Sequence, residues 1–141
     1  MTPEEVRRFL GTGPARPGVL STVRADGRPH AAPIWYDLDE DGCLMFNTGE
    51  ASVKGRNLRR EGRAAICVED PEPPYSYVII EGPVTLIREL DQVRAWAGRI
   101  GARYMGEERT EEFADRNGVA GELLVRLHPE RVTSAADIAE G

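Results

Sequence analysis

The sequence predicts a mainly β protein with flanking helices, built on a six-stranded antiparallel barrel that is closed or partly open. Three observations carry this expectation. Six short runs rich in β-branched and aromatic residues are bounded by Gly, Pro, Asn or Asp turn signals. Helical spacing is confined to a few segments. One short helix falls between the third and fourth strands, and a larger helical pair precedes the last strand.

Each element has a local cause. Thr2-Pro3-Glu4-Glu5 is a helix start: Thr2 caps, Pro3 suits the first helical position, and Glu5 stands three residues after the cap. That helix ends near Gly11, and GTGPARPG reads as loop. Its Gly11-x-Gly13 has no third glycine at the spacing a dinucleotide fingerprint needs. Residues 18–24 and 29–37 are two strands joined by a hairpin at Ala25-Asp26-Gly27-Arg28. DEDG turns the chain into a third strand, 43–48, and 51–61 is a short helix. Residues 64–69 are the fourth strand, EDPEPP breaks it, and 75–88 is a long fifth strand with a bend at Gly82-Pro83. Leu90, Val93, Trp96, Ala97 and Ile100 give 89–105 the spacing of an amphipathic helix. A polar helical piece, 107–116, follows, and the 107–118 segment reads either as a lid or as surface. Residues 122–127 are the sixth strand, and ERVTSAAD is a tail.

The totals set limits on function. A chain of 141 residues, 40% hydrophobic and 30% charged, suits one domain spanning 1–141. No apolar run approaches the roughly 20 residues of a membrane span, and MTPEEVRRFL lacks a charged-then-apolar signal layout. Two cysteines do not make a disulfide scaffold. The expected setting is the cytoplasm. A net charge of −6 argues against a nucleic-acid binder, whose affinity rests on many phosphate contacts. Yet Lys54 to Arg63 holds five basic residues and one acid. A local basic segment in an acidic chain suits a small anion.

Lys54 is the only lysine, against 17 arginines. It stands just inside a helix start, in Thr48-Gly49-Glu50-Ala51-Ser52-Val53-Lys54. Unpaired amides at a helix start attract anions, phosphate above all. Ser52 offers a hydroxyl, and Lys54 a mobile charge that needs no fork geometry. The competing explanation is a lysine on a solvated helix face. Trp35, Tyr36, Tyr75 and Tyr77 are either strand packing or an apolar wall for a planar ring whose phosphate tail lies in the basic segment. Other constellations fail. Asp37-x-Asp39-x-Asp41-Gly42 imitates a calcium loop, but Thr48 stands where the bidentate Glu is needed. His30 and His128 lie in different strands with no ligand set, so no metal is expected. Cys43 and Cys67 read as strand-embedded thiols. No catalytic acid, base or nucleophile is legible.

Taken together, GVLSTVRADGRPHAAPIWYDLDEDGCLMFNT, the Ser52–Leu58 run, REGRAAICVED, YSYVIIEGPVTL, the RYMGEE helix end and ERVTSAADI resemble the pyridoxamine 5'-phosphate oxidase-like split β-barrel superfamily. Within it, the chain is most similar to the actinobacterial flavin/deazaflavin oxidoreductases of the B group, enzymes dependent on coenzyme F420. The resemblance covers nearly the whole chain. It implies an FMN-binding-protein-like split barrel and a homodimer with cofactor sites at the subunit interface. By position it gives Lys54 the cofactor phosphate, with Ser52, Val53, Thr48 and Asn47 around it. Pro33 and Trp35 would line the ring, and Tyr75 and Tyr77 would approach it across the dimer. The strand at Ile79-Ile80-Glu81-Gly82 lacks the arginine-rich pattern of true pyridoxamine phosphate oxidases, so that reaction is not expected. The implied activity is hydride transfer from reduced coenzyme F420 to a small conjugated acceptor, an enone, quinone or tetrapyrrole. The alternatives are an FMN-dependent oxidoreductase on the same fold and a carrier that binds F420 or flavin without turnover.

Overall fold

The alternation of strand and turn signals resolves into one curled antiparallel sheet. The computed structural model describes residues 1–140. Its strands are β1 (Gly18–Val23), β2 (Pro29–Ile34), β3 (Asp37–Leu38), β4 (Leu44–Gly49), β5 (Arg63–Asp70), β6 (Ser76–Ile87), β7 (Glu122–Leu127) and β8 (Arg131–Ala135). The helices are α1 (Pro3–Gly11), α2 (Val53–Glu61), α3 (Leu90–Met105) and α4 (Thr110–Asn117), with 3-10 turns at Glu107–Arg109 and Ile138–Glu140. The sheet order is β2-β1-β5-β6-β7-β4-β3, and β8 pairs with β6. This is a split barrel with flanking helices.

Local signals act as expected at several points. Thr2 and Glu5 form a complete capping box at α1. Arg24 and Arg28 close the first hairpin around Gly27 at φ 87°. The DxDxDG segment is a turn: Asp39 Oδ1 accepts from the Asp41 and Cys43 amides at 2.9 and 2.8 Å, and Gly42 takes φ 82°. Among the described residues no cluster of three or more His, Cys, Asp or Glu could hold a metal ion. No described helix is long and apolar enough to cross a membrane.

Among the described residues the strands number eight, not six, for two physical reasons. The predicted 29–37 strand breaks at Trp35-Tyr36. There the Tyr36 phenol turns into the core and donates to the Leu10 carbonyl at 3.0 Å, and the chain resumes as β3 against β4. The tail forms β8 because the first half of β6 extends past β7. Tyr77–Glu81 of β6 pairs with Arg131–Ala135, while Val84–Ile87 pairs with β7. Backbone groups on that half would otherwise lack partners. The change of neighbour falls at Gly82-Pro83, where a Cβ on Gly82 would stand 1.9 Å from the His128 carbonyl oxygen.

Two apolar clusters result. Alternating residues of β1 and β5, including Leu20, Ile66 and Val68, fill the barrel with Phe46, Leu58 and Leu127. β4 and β7 do not alternate, since α3 covers their outer face through Val93 on Met45 and Leu124. The site described next lies at the edge of this second layer.

Candidate cofactor-binding site

Between α3 and the ends of β2 and β4 lies a cavity of about 440 Å³, a size typical of small-molecule sites. Pro17, Pro33, Ile34, Trp35, Ala97 and Ile100 form its apolar lining. Asn47, Thr48, Ser52, Lys54, Asn117 and Glu122 form its polar lining. A second cavity, about 580 Å³, opens under α1 and is lined by no aromatic side chain.

The polar lining is built where β4 meets α2. Ser52 is the N-cap of α2: its Oγ accepts from the Gly55 amide at 3.0 Å and donates to the Gly49 carbonyl at 2.7 Å. Thr48 Oγ1 lies 3.3 Å from the same hydroxyl. Asn47 donates from Nδ2 to the Val93 carbonyl at 3.2 Å, tying the end of β4 to α3. Gly55 is required here, since a Cβ would stand 2.1 Å from the Gly49 carbonyl oxygen. Asn57 is buried and donates to Thr22 Oγ1 on β1 at 3.0 Å, and Leu58 enters the core. Asn47, Thr48 and Ser52 therefore use their polar groups to shape the site. The Lys54 ammonium is left free, with no ion pair within 4 Å among the described residues. The amides of Val53 and Lys54 are also free, being at the helix start and without intrahelical acceptors. Val53 contributes its main chain; its side chain is exposed.

The apolar lining is held from behind. Trp35 stacks on Tyr104 of α3 with ring centroids 5.0 Å apart and planes 4° apart, and meets Phe113 of α4 edge-on at 5.7 Å. Tyr104 is fixed in turn by a 2.8 Å hydrogen bond to the Arg16 carbonyl. Arg103 donates to the carbonyls of Tyr36 and Leu10 at 2.5 and 2.6 Å. The 107–118 segment is a packed wall: Phe113 is buried, and a Cβ on Gly101 would stand 2.3 Å from it. This geometry supplies a rigid aromatic surface at one side of the cavity and a cation with two amides at the other.

Six of the nine residues singled out in the sequence meet in this cavity: Pro33, Trp35, Asn47, Thr48, Ser52 and Lys54. Val53 lies beside it. Tyr75 and Tyr77 do not line it within one chain. Tyr75 precedes β6 at φ 67°, and Tyr77 pairs across from Ala135. Glu122 and Asn117 were missed, because their place comes from β4–β7 pairing and from α4 docking, neither written in local sequence. The fold also brings Cys43 Sγ to 3.6 Å from His128 Nδ1, though they are 85 residues apart. Burial pushes the Cys43 thiol up, and Asp39 adds to the effect, which disfavours the thiolate.

A split barrel with a cavity between sheet and helix, a cation at one end and an aromatic wall at the other, has the form of a flavin-type binding fold. Residues 2–135 match the pyridoxamine 5'-phosphate oxidase family, and the chain belongs to it. A 5a,11a-dehydrotetracycline/5a,11a-dehydrooxytetracycline reductase of Streptomyces rimosus is 28% identical over 123 residues, covering 83% of this chain and 72% of that protein. A pyridoxine/pyridoxamine 5'-phosphate oxidase of Alkalilimnicola ehrlichii is 34% identical over 80 residues, 57% of this chain but only 40% of that protein. Among solved structures, a conserved hypothetical protein of Mycobacterium tuberculosis superposes with a TM-score of 0.84 at 25% identity, covering 99% of this chain and 88% of that one. An F420 reductase superposes with a TM-score of 0.69, also at 25% identity, covering 85% of this chain and 90% of that one. The family is one of oxidoreductases on a flavin-type binding fold.

Proposed function

We propose that this chain is a reductase that binds coenzyme F420 in the cavity between α3 and β4, and works as a homodimer in the cytoplasm with residues 1–141 as one domain. One observation carries the reading: the solitary lysine is the unpaired cation of a cavity whose other side is a stacked aromatic wall. Support comes from the similarity to a reductase whose named substrates are dehydro compounds, and to an F420 reductase.

When bound, the reduced deazaflavin supplies a hydride to an electron-poor carbon of a small conjugated acceptor, which also gains a proton from solvent. The chain's own residues do the rest. Lys54 and the amides of Val53 and Lys54 hold the phosphate. Trp35, Pro33, Ile34 and Ile100 flank the ring and exclude water from one side of it. Tyr104 and Phe113 keep Trp35 in one orientation, so that the ring is positioned rather than merely held. The enone, quinone or tetrapyrrole classes all fit this description.

The dimer reading has support on the sheet surface. Val19 pairs with Pro33 on one side and Cys67 on the other, and Cys67 with Ile79. Val19 and Val23 are more than 40% exposed. Pro33 belongs both to this face and to the cavity, so a second copy docked there would approach the site and could bring its Tyr75 and Tyr77 to the ring.

FMN is the second reading, favoured by the stretch shared with the pyridoxine/pyridoxamine 5'-phosphate oxidase. Titrating the purified protein with F420 and with FMN tests the assignment. F420 is expected to bind more tightly and to be oxidised faster when an acceptor is present. Tight binding of FMN alone overturns the cofactor assignment, and binding without acceptor-dependent oxidation makes the protein a carrier. Lys54→Ala is expected to weaken F420 binding by about 10- to 100-fold, the loss of one charge-assisted contact. Unchanged affinity counts against the phosphate site.

A further inference from the structure

The polar lining holds one feature that phosphate binding does not call for. Glu122 opens β7 directly across from Gly49 of β4. A side chain at Gly49 would crowd it, since a Cβ there lies 3.2 Å from Glu122 Oε2. The carboxylate lines the cavity together with Lys54, yet it makes no ion pair within 4 Å and accepts no hydrogen bond among the described residues. The nearby acid, Glu50, is by contrast paired through Oε1 with both Arg59 and Arg88. Burial pushes the Glu122 carboxyl up, and the Lys54 ammonium is the one charge that draws it back down. One free cation and one free carboxylate thus share the anion end, leaving the two helix-start amides to supply the net positive field.

We propose that Glu122 is a specificity-determining residue that makes this anion end prefer a singly charged phosphodiester to a doubly charged phosphate monoester. The proposal rests on the reading that the Lys54 end holds the cofactor phosphate. The argument is a charge count. With the Lys54 and Glu122 charges offsetting each other, a phosphodiester brings one charge for the two amides to hold. A monoester at neutral or higher pH brings close to two, and the second charge faces a carboxylate in a partly desolvated cavity, where like charges repel more strongly than in water. F420 carries its phosphate as a diester, FMN as a monoester. The same ring site would therefore discriminate between the two cofactors by ionisation state.

The clean comparison keeps one ring and changes only the tail: riboflavin, FMN and the monomethyl phosphodiester of FMN, titrated at pH 8 by flavin fluorescence. The wild-type chain is expected to bind the methyl diester about tenfold more tightly than FMN. Glu122→Gln, which keeps the size and removes the charge, is expected to abolish that ratio by tightening FMN. The wild-type ratio needs no variant, so the test survives a glutamine chain that fails to fold. Equal binding of FMN and the diester by wild type, both above riboflavin, overturns the charge selection and leaves the phosphate site standing. So does a ratio that Glu122→Gln does not move. Equal binding of all three ligands, unaffected by Lys54→Ala, removes the phosphate site and this proposal with it.

Discussion

Tyr36 shows how far one residue can depart from its local appearance. In the sequence it is one of a pair of strand aromatics, Trp35-Tyr36, equally suited to a ring wall. In the structure the two diverge. Trp35 lines the cavity while Tyr36 is 1% exposed, capped by the Arg103 guanidinium at 4.8 Å from its ring. Burial pushes the Tyr36 phenol up to about 12, against an opposing pull from Arg103. The sign follows directly. The folded protein holds the phenol proton more tightly than the unfolded chain, whose tyrosine titrates near 10. Stability from this group is complete below pH 10 and lost as pH rises toward 12, by about 2–3 kcal/mol. Denaturant titrations between pH 9 and 12 are expected to show that loss. In Tyr36→Phe the loss shrinks, at a cost near 1 kcal/mol at neutral pH for the missing bond to Leu10. A Tyr36→Phe chain whose alkaline slope matches wild type would exclude Tyr36 as its source.

At the scale of elements, α2 is where sequence and site are most tightly joined. Its S-x-K-G-R-N-L run assigns one task to almost every position. Ser52 caps, Lys54 faces the cavity, Gly55 lets the helix touch the end of β4, Asn57 bonds β1, and Leu58 enters the core. Gly55 gives a prediction whose sign separates local from tertiary control. In an isolated helix, Gly→Ala is stabilising by up to about 1 kcal/mol. Here the new methyl meets a backbone oxygen that cannot move aside as a side chain could. Gly55→Ala is therefore expected to destabilise by about 2 kcal/mol or more, read as a lower denaturation midpoint with an unchanged slope. A rise in the midpoint would show that α2 does not need its close approach to β4. The third and fourth helices illustrate the other limit. The spacing of 89–105 marks its buried side, Val93, Ala97 and Ile100. That Gly98 and Gly101 are docking points for α4 follows only once Thr110 and Phe113 are seen against them.

For the whole molecule, the outward face of β1 and its neighbours is the surface a second copy would cover. Val19→Asp is expected to convert a dimer to a monomer in sedimentation equilibrium and to weaken F420 binding at the same time, because Pro33 is shared by face and cavity. A wild-type chain that sediments as a monomer at micromolar concentration overturns the dimer reading. Conversely, dissociation without loss of cofactor affinity would show that one chain completes the site.

The sequence alone determined what depends on near neighbours. Capping at Thr2 and Ser52, the turns at Gly27 and Gly42 and the period of α3 are all set within a few residues. So is the placing of a lone ammonium at a helix start. Tertiary structure decided what depends on pairing across long separations. It split the predicted strand at Trp35-Tyr36, made a strand of the tail because β6 had an unpaired edge, and buried both faces of β4 and β7. It also set Glu122 opposite Gly49, 73 positions along the chain, which no periodicity encodes. Short-range sterics are written residue by residue, but a neighbour across a sheet is fixed only when the hydrogen-bond ladder closes and the whole chain has chosen its register.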